Sequence, residues 1–206
     1  MERLERLRGE WIELPGAGLY YEPDFLKDPD ILFDDLKQNA AWRQDRIRLF
    51  GREHRVPRLS AWYGDADAVY RYSGLRLEPM PWLAALADLR RRLQTHLARP
   101  FNSVLLNYYR HGGDGMGRHA DDEPELGPRP LIAMISLGAV RRFVLTPRQK
   151  GMAESWRRDL ANGSLLVMAG DCQRHWRHEL PKTRRVVAGR ISLTYRQVQA
   201  KRHGDL

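Results

Sequence analysis

A single cysteine, Cys172, stands among 206 residues. A disulfide framework is therefore excluded, and a reducing compartment fits best. No apolar run approaches the ~20 residues that a membrane-spanning helix needs, so no membrane partner is expected. The N-terminal "MERLERLRGEW" lacks the apolar core and small-residue cleavage site of a secretory signal. A cytoplasmic location is expected, on the nucleoid if the source is bacterial. Lysine is scarce as well. Of 35 basic residues only Lys27, Lys37, Lys150, Lys182 and Lys201 are lysines, so arginine carries the net charge of +9. Arginine makes planar, bidentate contacts with phosphates and carboxylates, which suits a polyanionic partner. A GC-rich genome would give the same arginine bias, so composition alone leaves both readings open.

Repeats, low-complexity tracts and long linkers are missing too, which points to one structural domain. "DPDILFDDLKQNAAW" predicts a short helix with Leu32, Leu36 and Ala40 on one face. "QDRIRLFGREHRV" alternates around Phe50-Gly51 and predicts a β-hairpin. "PWLAALADLRRRLQTHLARP" predicts a second helix with a stripe of Leu83, Leu86, Leu93 and Leu97, ended by Pro100. Beyond Pro100 the period becomes two. "NSVLLNYYR", "PLIAMISLG", "RRFVL", "SLLVM", "HWRHEL" and "GRISLTYR" are short strand candidates separated by Gly, Pro or Asp clusters. Helices followed by short strands predict a mainly β fold with flanking helices (α+β), a sandwich or jelly roll.

"GMGRHADDEPELG" contains His119-Ala120-Asp121. On an extended segment, side chains two apart point the same way, so both can reach one cation. A second imidazole would complete a facial triad, with open positions for substrate and oxygen on Fe(II). Taken alone, the tripeptide is equally a loop histidine beside a solvated acidic run. "DCQRHWRHEL" offers two candidates for the third ligand, His175 and His178. On a strand they lie an odd number of residues apart and face opposite sides, so only one can point at a metal. In "GRISLTYR", Arg190, Ser192, Thr194 and Arg196 share one face and Ile191, Leu193 and Tyr195 the other. Two arginines on the inner face of a strand require an anion, which a dicarboxylate would supply. Alternatively, both reach solvent from the strand ends.

The series "NYY", "HADDE", "GSLLVM", "WRHELP" and "RISLTYR" resembles the AlkB family. These are Fe(II)- and 2-oxoglutarate-dependent dioxygenases that demethylate alkylated nucleic-acid bases. Upstream, "FGREHRVPR", "WYGDADAVYRYSGL" and "PMPW" most resemble the animal branch that prefers double-stranded DNA. The resemblance spans Asp45 to Val198. It implies a double-stranded β-helix (jelly-roll) catalytic core over 100–200, with helices and nucleotide-recognition hairpins over 1–99 and a tail at 201–206. It implies Fe(II), 2-oxoglutarate and O2 as cofactor and cosubstrates. The implied ligands are His119, Asp121 and His178, since the family's late histidine follows an aromatic residue and one spacer. Arg190 would pair with the far carboxylate of 2-oxoglutarate and Arg196 would sit near its C1 end. Asn107 and Tyr109 would hydrogen-bond the cosubstrate, and Ser192 stands where the family usually has Asn. Tyr195 replaces a usual Phe.

The resemblance also implies substrate contacts. A methylated base must leave the duplex before reaction. Tyr70 and Tyr72 would stack on the flipped base or hydrogen-bond it, Glu123 would accept from its exocyclic amine, and Asp122 would do likewise or orient an arginine. Phe50, at the hairpin tip, would wedge into the vacated stack. Arg52, Arg55 and Arg58 would bind phosphates, with Arg118, Arg141, Arg142, Lys182, Arg184 and Arg185 as further candidates. The loop from Thr146 to Asn162 corresponds to one that helps relatives hold the second strand. The expected function is oxidative demethylation of 1-methyladenine and 3-methylcytosine in duplex or single-stranded DNA by a monomer. An RNA demethylase of the same chemistry and an inactive basic nucleic-acid-binding protein are the alternatives.

Overall fold

The computed structural model describes residues 8–49, 51–72 and 75–199. A hairpin of β1 (Glu10–Leu14) and β2 (Ala17–Glu22) comes first, then helix α1 (Pro29–Asn39). The hairpin β3 (Arg46–Leu49) and β4 (Arg52–Arg55) and the strand β5 (Leu59–Gly64) follow. A second small hairpin, β6 (Tyr70–Tyr72) and β7 (Leu75–Leu77), precedes helix α2 (Ala84–Leu97). Next come β8 (Ser103–Tyr109), β9 (Met116–His119), β10 (Ile132–Gly138), β11 (Arg141–Pro147), β12 (Trp156–Leu160) and β13 (Leu165–Gly170). The single-turn helix α3 (Cys172–His175) leads into β14 (Trp176–Leu180), and β15 (Arg190–Arg196) is the last element.

Seven strands form one sheet in the order β1-β2-β13-β10-β15-β8-β5, and four form a second in the order β12-β11-β14-β9. Pairing within both is antiparallel. The two sheets face each other as a jelly roll. The expected mainly β architecture and the β3–β4 hairpin are both present. The large sheet has a core on each side. On its outer face Leu36 of α1 and Leu86, Leu89 and Leu93 of α2 pack with Val104, Leu106, Ile191, Leu193 and Tyr195. On its inner face Leu105, Ile132 and Met134 meet Phe143, Leu145 and Trp176 of the small sheet. A central strand buried on both faces thus reads as a nearly continuous apolar run, as "SVLLNYY" does.

Strand β15 departs from that rule. Its odd-numbered residues join the helix-side core, while Arg190, Ser192, Thr194 and Arg196 project between the sheets, and all seven residues are buried. Tyr195 fixes the strand to α2 by donating its hydroxyl to the Leu86 carbonyl at 3.0 Å.

Two expectations need correction. The buried stripe of α2 is Leu86, Leu89 and Leu93. Leu83 and Leu97 are only partly buried at its ends, because the helix begins one residue after Leu83. Ala98, in the left-handed conformation with φ 51°, ends it two residues before Pro100. His175 does not belong to a strand. It closes the α3 turn, and β14 starts at Trp176. Its ring lies over Gly16 in the β1–β2 turn, where a Cβ would stand 2.6 Å from His175 Cδ2. The parity argument for choosing between His175 and His178 therefore fails, although the choice itself survives on geometry given below. The β1–β2 hairpin was not anticipated at all; its partner in the sheet, β13, lies far along the chain.

Truncating Leu93 to Ala should lower unfolding free energy by about 3 kcal/mol, the cost of a fully buried leucine cavity. Leu83→Ala should cost less than half as much. Urea unfolding followed by tryptophan fluorescence tests the corrected stripe.

Candidate metal centre

Strand β9 ends at His119, which stands opposite His178 of β14 in the register of the small sheet. Their ring centroids are 4.2 Å apart. Two residues on, where the chain has left the strand, the Asp121 side chain turns into the same space. One ligand atom from each of His119, Asp121 and His178 lies within 4.8 Å of the others. His119 Nδ1 lies 2.8 Å from the Gly117 carbonyl. That contact places the ring proton on Nδ1 and leaves Nε2 free to ligate. Nε2 is 3.8 Å from Asp121 Oδ1. Phe143 stacks on His178 at 5.6 Å and limits its rotation.

The two oxygens of Asp121 have different fates. Oδ2 accepts from Arg196 Nε at 3.0 Å and Nη2 at 2.7 Å. Oδ1 is buried and accepts no hydrogen bond. Leaving a buried acceptor unmet costs about 1–3 kcal/mol, and a cation between Oδ1 and the two imidazoles would remove that cost. Burial pushes the Asp121 carboxyl up, but the neighbouring charges, Arg196 foremost, hold it at about 2. Burial, and then the charge of His119, depress His178 to about 3. At neutral pH, Asp121 is ionised and His178 neutral, the states a metal requires of its ligands. Two imidazoles and one carboxylate are the donor set of a facial triad for Fe(II). The residues present therefore fit that ion.

The rest of the cavity is built from β8 and β15. Arg190 is 1% exposed. Its Nη2 donates to Ser136 Oγ at 2.8 Å, and its guanidinium lies 5.5 Å from the Tyr109 ring centroid. Its Nε has no acceptor among the described residues. Burial, reinforced by the charge of Arg141, lowers its pKa to about 10. A buried guanidinium with an unused donor beside a cavity calls for an anion. His119, His178 and Arg190 line the same cavity, so a dicarboxylate could reach both the metal centre and the guanidinium. Ser192 pairs with Asn107 on one side and Ser136 on the other. Arg190 stands opposite Tyr109.

Several expected residues lie elsewhere than the sequence suggested. Arg58 is not a surface phosphate contact; it is 8% exposed and donates from Nε to Asn107 Oδ1 at 2.9 Å. Arg141 is also buried, bonded to the carbonyls of Asp114 at 3.0 Å, Pro181 at 2.8 Å and His111 at 3.4 Å. Arg196 is committed to Asp121. Arg142 and Arg118 pair with Asp159 and Glu179. Asp122 is exposed and paired with Arg148. Glu123 is half-buried at the start of a 3-10 turn over Pro124–Leu126. Tyr70 and Tyr72 lie on β6 and Arg52 on β4, but their side chains, like the whole of Phe50, lie outside the described residues. Sequence reasoning missed Gln173, whose Oε1 accepts the Asp121 backbone N–H at 2.9 Å. No local signal marks it, since it lies on a different element.

A jelly roll with a His-Asp-His cluster and a buried anion-seeking arginine between its sheets defines an iron-dependent oxygenase of the 2-oxoglutarate type. A family model described as the 2OG-Fe(II) oxygenase superfamily matches residues 18–196. The chain belongs to that superfamily, whose members use Fe(II), 2-oxoglutarate and O2. It is 38% identical over 201 residues to the mouse (Mus musculus) protein named DNA oxidative demethylase ALKBH2, covering 92% of this chain and 84% of that one. The human (Homo sapiens) protein of that name is 38% identical over 180 residues, covering 83% and 69%. The mouse alpha-ketoglutarate-dependent dioxygenase alkB homolog 3 is 38% identical over 184 residues, covering 84% and 63%. Among solved structures, OsALKBH1 superposes with a TM-score of 0.62 at 18% identity, covering 90% of this chain and 100% of that one. A Trichoplax adhaerens prolyl hydroxylase bound to a hypoxia inducible factor peptide gives 0.60 at 15% identity, covering 88% and 83%. These last two share the fold.

Two outcomes follow from the electrostatics. Arg190→Met should weaken 2-oxoglutarate binding to the Mn(II)-loaded protein about 100-fold, the loss of a charge-assisted pair, without lowering the thermal midpoint of the metal-free protein. Isothermal titration and thermal unfolding measure the two. Burial, with the charge of Asp121, pushes the Cys172 thiol up to about 12. At pH 8 the folded protein should therefore not react with an aromatic disulfide reagent, and should expose one thiol on unfolding.

Proposed function

We propose that the protein oxidatively demethylates 1-methyladenine and 3-methylcytosine in DNA as a monomer, repairing the base directly. The observation that carries this reading is the cluster of His119, Asp121 and His178, whose two imidazoles share one cavity with Arg190, in a chain similar over most of its length to DNA oxidative demethylases. The charge of +9 supports a polyanionic substrate.

In this reading His119, Asp121 and His178 hold Fe(II). Arg190, backed by Ser136, holds the far carboxylate of 2-oxoglutarate, while Asn107 and Tyr109 hydrogen-bond the cosubstrate. Arg58 fixes Asn107 from behind through its Nε. Arg196 and Gln173 keep Asp121 aimed, one through its carboxylate and one through its amide. Leu105, Met134, Phe143 and Met168 line the cavity with apolar surface and exclude water. Bound there, iron with 2-oxoglutarate and O2 supplies oxidation of an N-methyl group, which then leaves the base as formaldehyde. Asp122, Glu123, Tyr70 and Tyr72 contact the extruded base, Phe50 fills its place in the duplex, and Arg52 steadies the backbone.

Formaldehyde release from matched methylated DNA duplex, single-stranded DNA and RNA tests the proposal. Release should require Fe(II) and 2-oxoglutarate, and methylated duplex should exceed RNA. RNA clearly ahead, with Phe50→Ala harmless, would overturn the DNA reading; no release from any methylated nucleic acid would overturn the reaction. His178→Ala should abolish turnover and His175→Ala should retain most of it, and the reverse result would reassign the ligand.

A further inference from the structure

Beside the metal centre the chain reads Gly127-Pro128-Arg129-Pro130. Arg129 has φ 57°, in the left-handed region that side-chain-bearing residues avoid. Among the described residues one other non-glycine does the same, Ala98. Ala98 has a local reason, since it closes α2. Arg129 closes no helix. Glycine would occupy the position without strain, so the backbone gives no reason for a guanidinium there. Strain that persists at one position directs attention to what its side chain does.

The side chain borders a cavity of about 290 Å³ shared by Arg129, Arg148, Arg174, Asp122, Asp171 and Gln173. Arg148 pairs with Asp122, and Arg129 reaches Asp171 at 3.5 Å with its side chain 67% exposed. Arg174 is exposed and makes no ion pair among the described residues. Three guanidiniums thus face two carboxylates, and the cavity keeps a net positive charge. An exposed pair at that distance is weak and exchanges readily for a phosphate, which a guanidinium grips through two donors. The cavity and the metal centre share a wall. Asp122 follows the ligand Asp121, and Gln173 holds the Asp121 amide. A strand whose base entered the cleft would have phosphates within reach of a cavity that adjoins it.

We propose that this cavity is a phosphodiester site for the DNA strand carrying the target base, with Arg129 and Arg174 as the phosphate contacts. The proposal rests on the DNA-demethylase reading. It explains a strained arginine as selected for its charge.

The test is titration of the full chain into a labelled, unmethylated DNA duplex at several salt concentrations, for wild type, Arg129→Gly and Arg174→Gln. Arg129→Gly should bind the duplex about fivefold more weakly at low salt, and the slope of log affinity against log salt should fall by about 0.9. The same variant should keep Co(II) affinity and hold or raise its thermal midpoint, by about 2 °C, because a glycine relieves the strain. Arg174→Gln should lower the slope by a similar step. Affinity within twofold and an unchanged slope in both variants would overturn the site. A midpoint shift with inorganic phosphate that Arg129→Gly abolishes, without any change in duplex slope, would make the ligand a small anion and overturn the strand assignment. Formaldehyde release from methylated DNA is measured in parallel on the wild type. Release with unchanged slopes refutes this site alone, whereas altered slopes without release refute the reaction and leave the site.

Discussion

A guanidinium and a carboxylate have been taken out of water together at the centre of this protein. Arg196 and Asp121 are 3% and 0% exposed, and each would be prohibitively costly to bury alone. Paired, they do more than cancel. Arg196 uses two donors on one oxygen of Asp121, which fixes the carboxylate plane and leaves the other oxygen for a cation. Because Arg196 belongs to the large sheet and Asp121 to the loop leaving the small one, the pair also ties the two sheets across the cleft. The histidine ligands sit on the small sheet, so that tie, with the Gln173 bond to the Asp121 amide, sets the carboxylate's relation to them.

The opposite end of β15 repeats the device with its counter-ion missing. Arg190 is as deeply buried as Arg196, but a serine hydroxyl and an aromatic face are what it meets. One strand thus presents a satisfied arginine and an unsatisfied one on the same face, with Ser192 and Thr194 between them. Those two side chains are small, and their size leaves room for a ligand. The strand's other face, Ile191, Leu193 and Tyr195, packs in the core and is locked to α2 through the Tyr195 hydroxyl. The local sequence accordingly encodes a wall of the site on even positions and the protein core on odd ones.

That alternation is why so much was legible in advance. "GRISLTYR" displays both faces of β15 in its lettering, and His119-Ala120-Asp121 displays two ligands of the triad. Local periodicity also sufficed for α1, the β3–β4 hairpin and six of the strands after Pro100, but not for β9, which ends at His119, or for β12, which lies within the stretch read as a loop. What escaped was set by contacts between distant segments. Arg58 and Arg141 look like any other arginine in a basic chain, and only their burial against Asn107 and three backbone carbonyls separates them from solvent-facing ones. Gln173 reaches Asp121 from another element. His175 was misplaced because "HWRHEL" reads as one strand, although "DCQRH" is a helical turn that Asp171 opens. The β1–β2 hairpin is local, with Pro15-Gly16 at its turn; only its place in the sheet, beside β13, depends on a distant segment.

The order of strands in the large sheet has a consequence for the timing of synthesis. Strand β15 is made after the other described strands, yet it lies between β10 and β8. Until it is in place the sheet is split in two, and contacts of such long range form slowly. A nascent chain that has already displayed His119, Asp121 and His178 still lacks both arginines of β15. One late strand thus joins the two halves of the sheet and brings both arginines to the site.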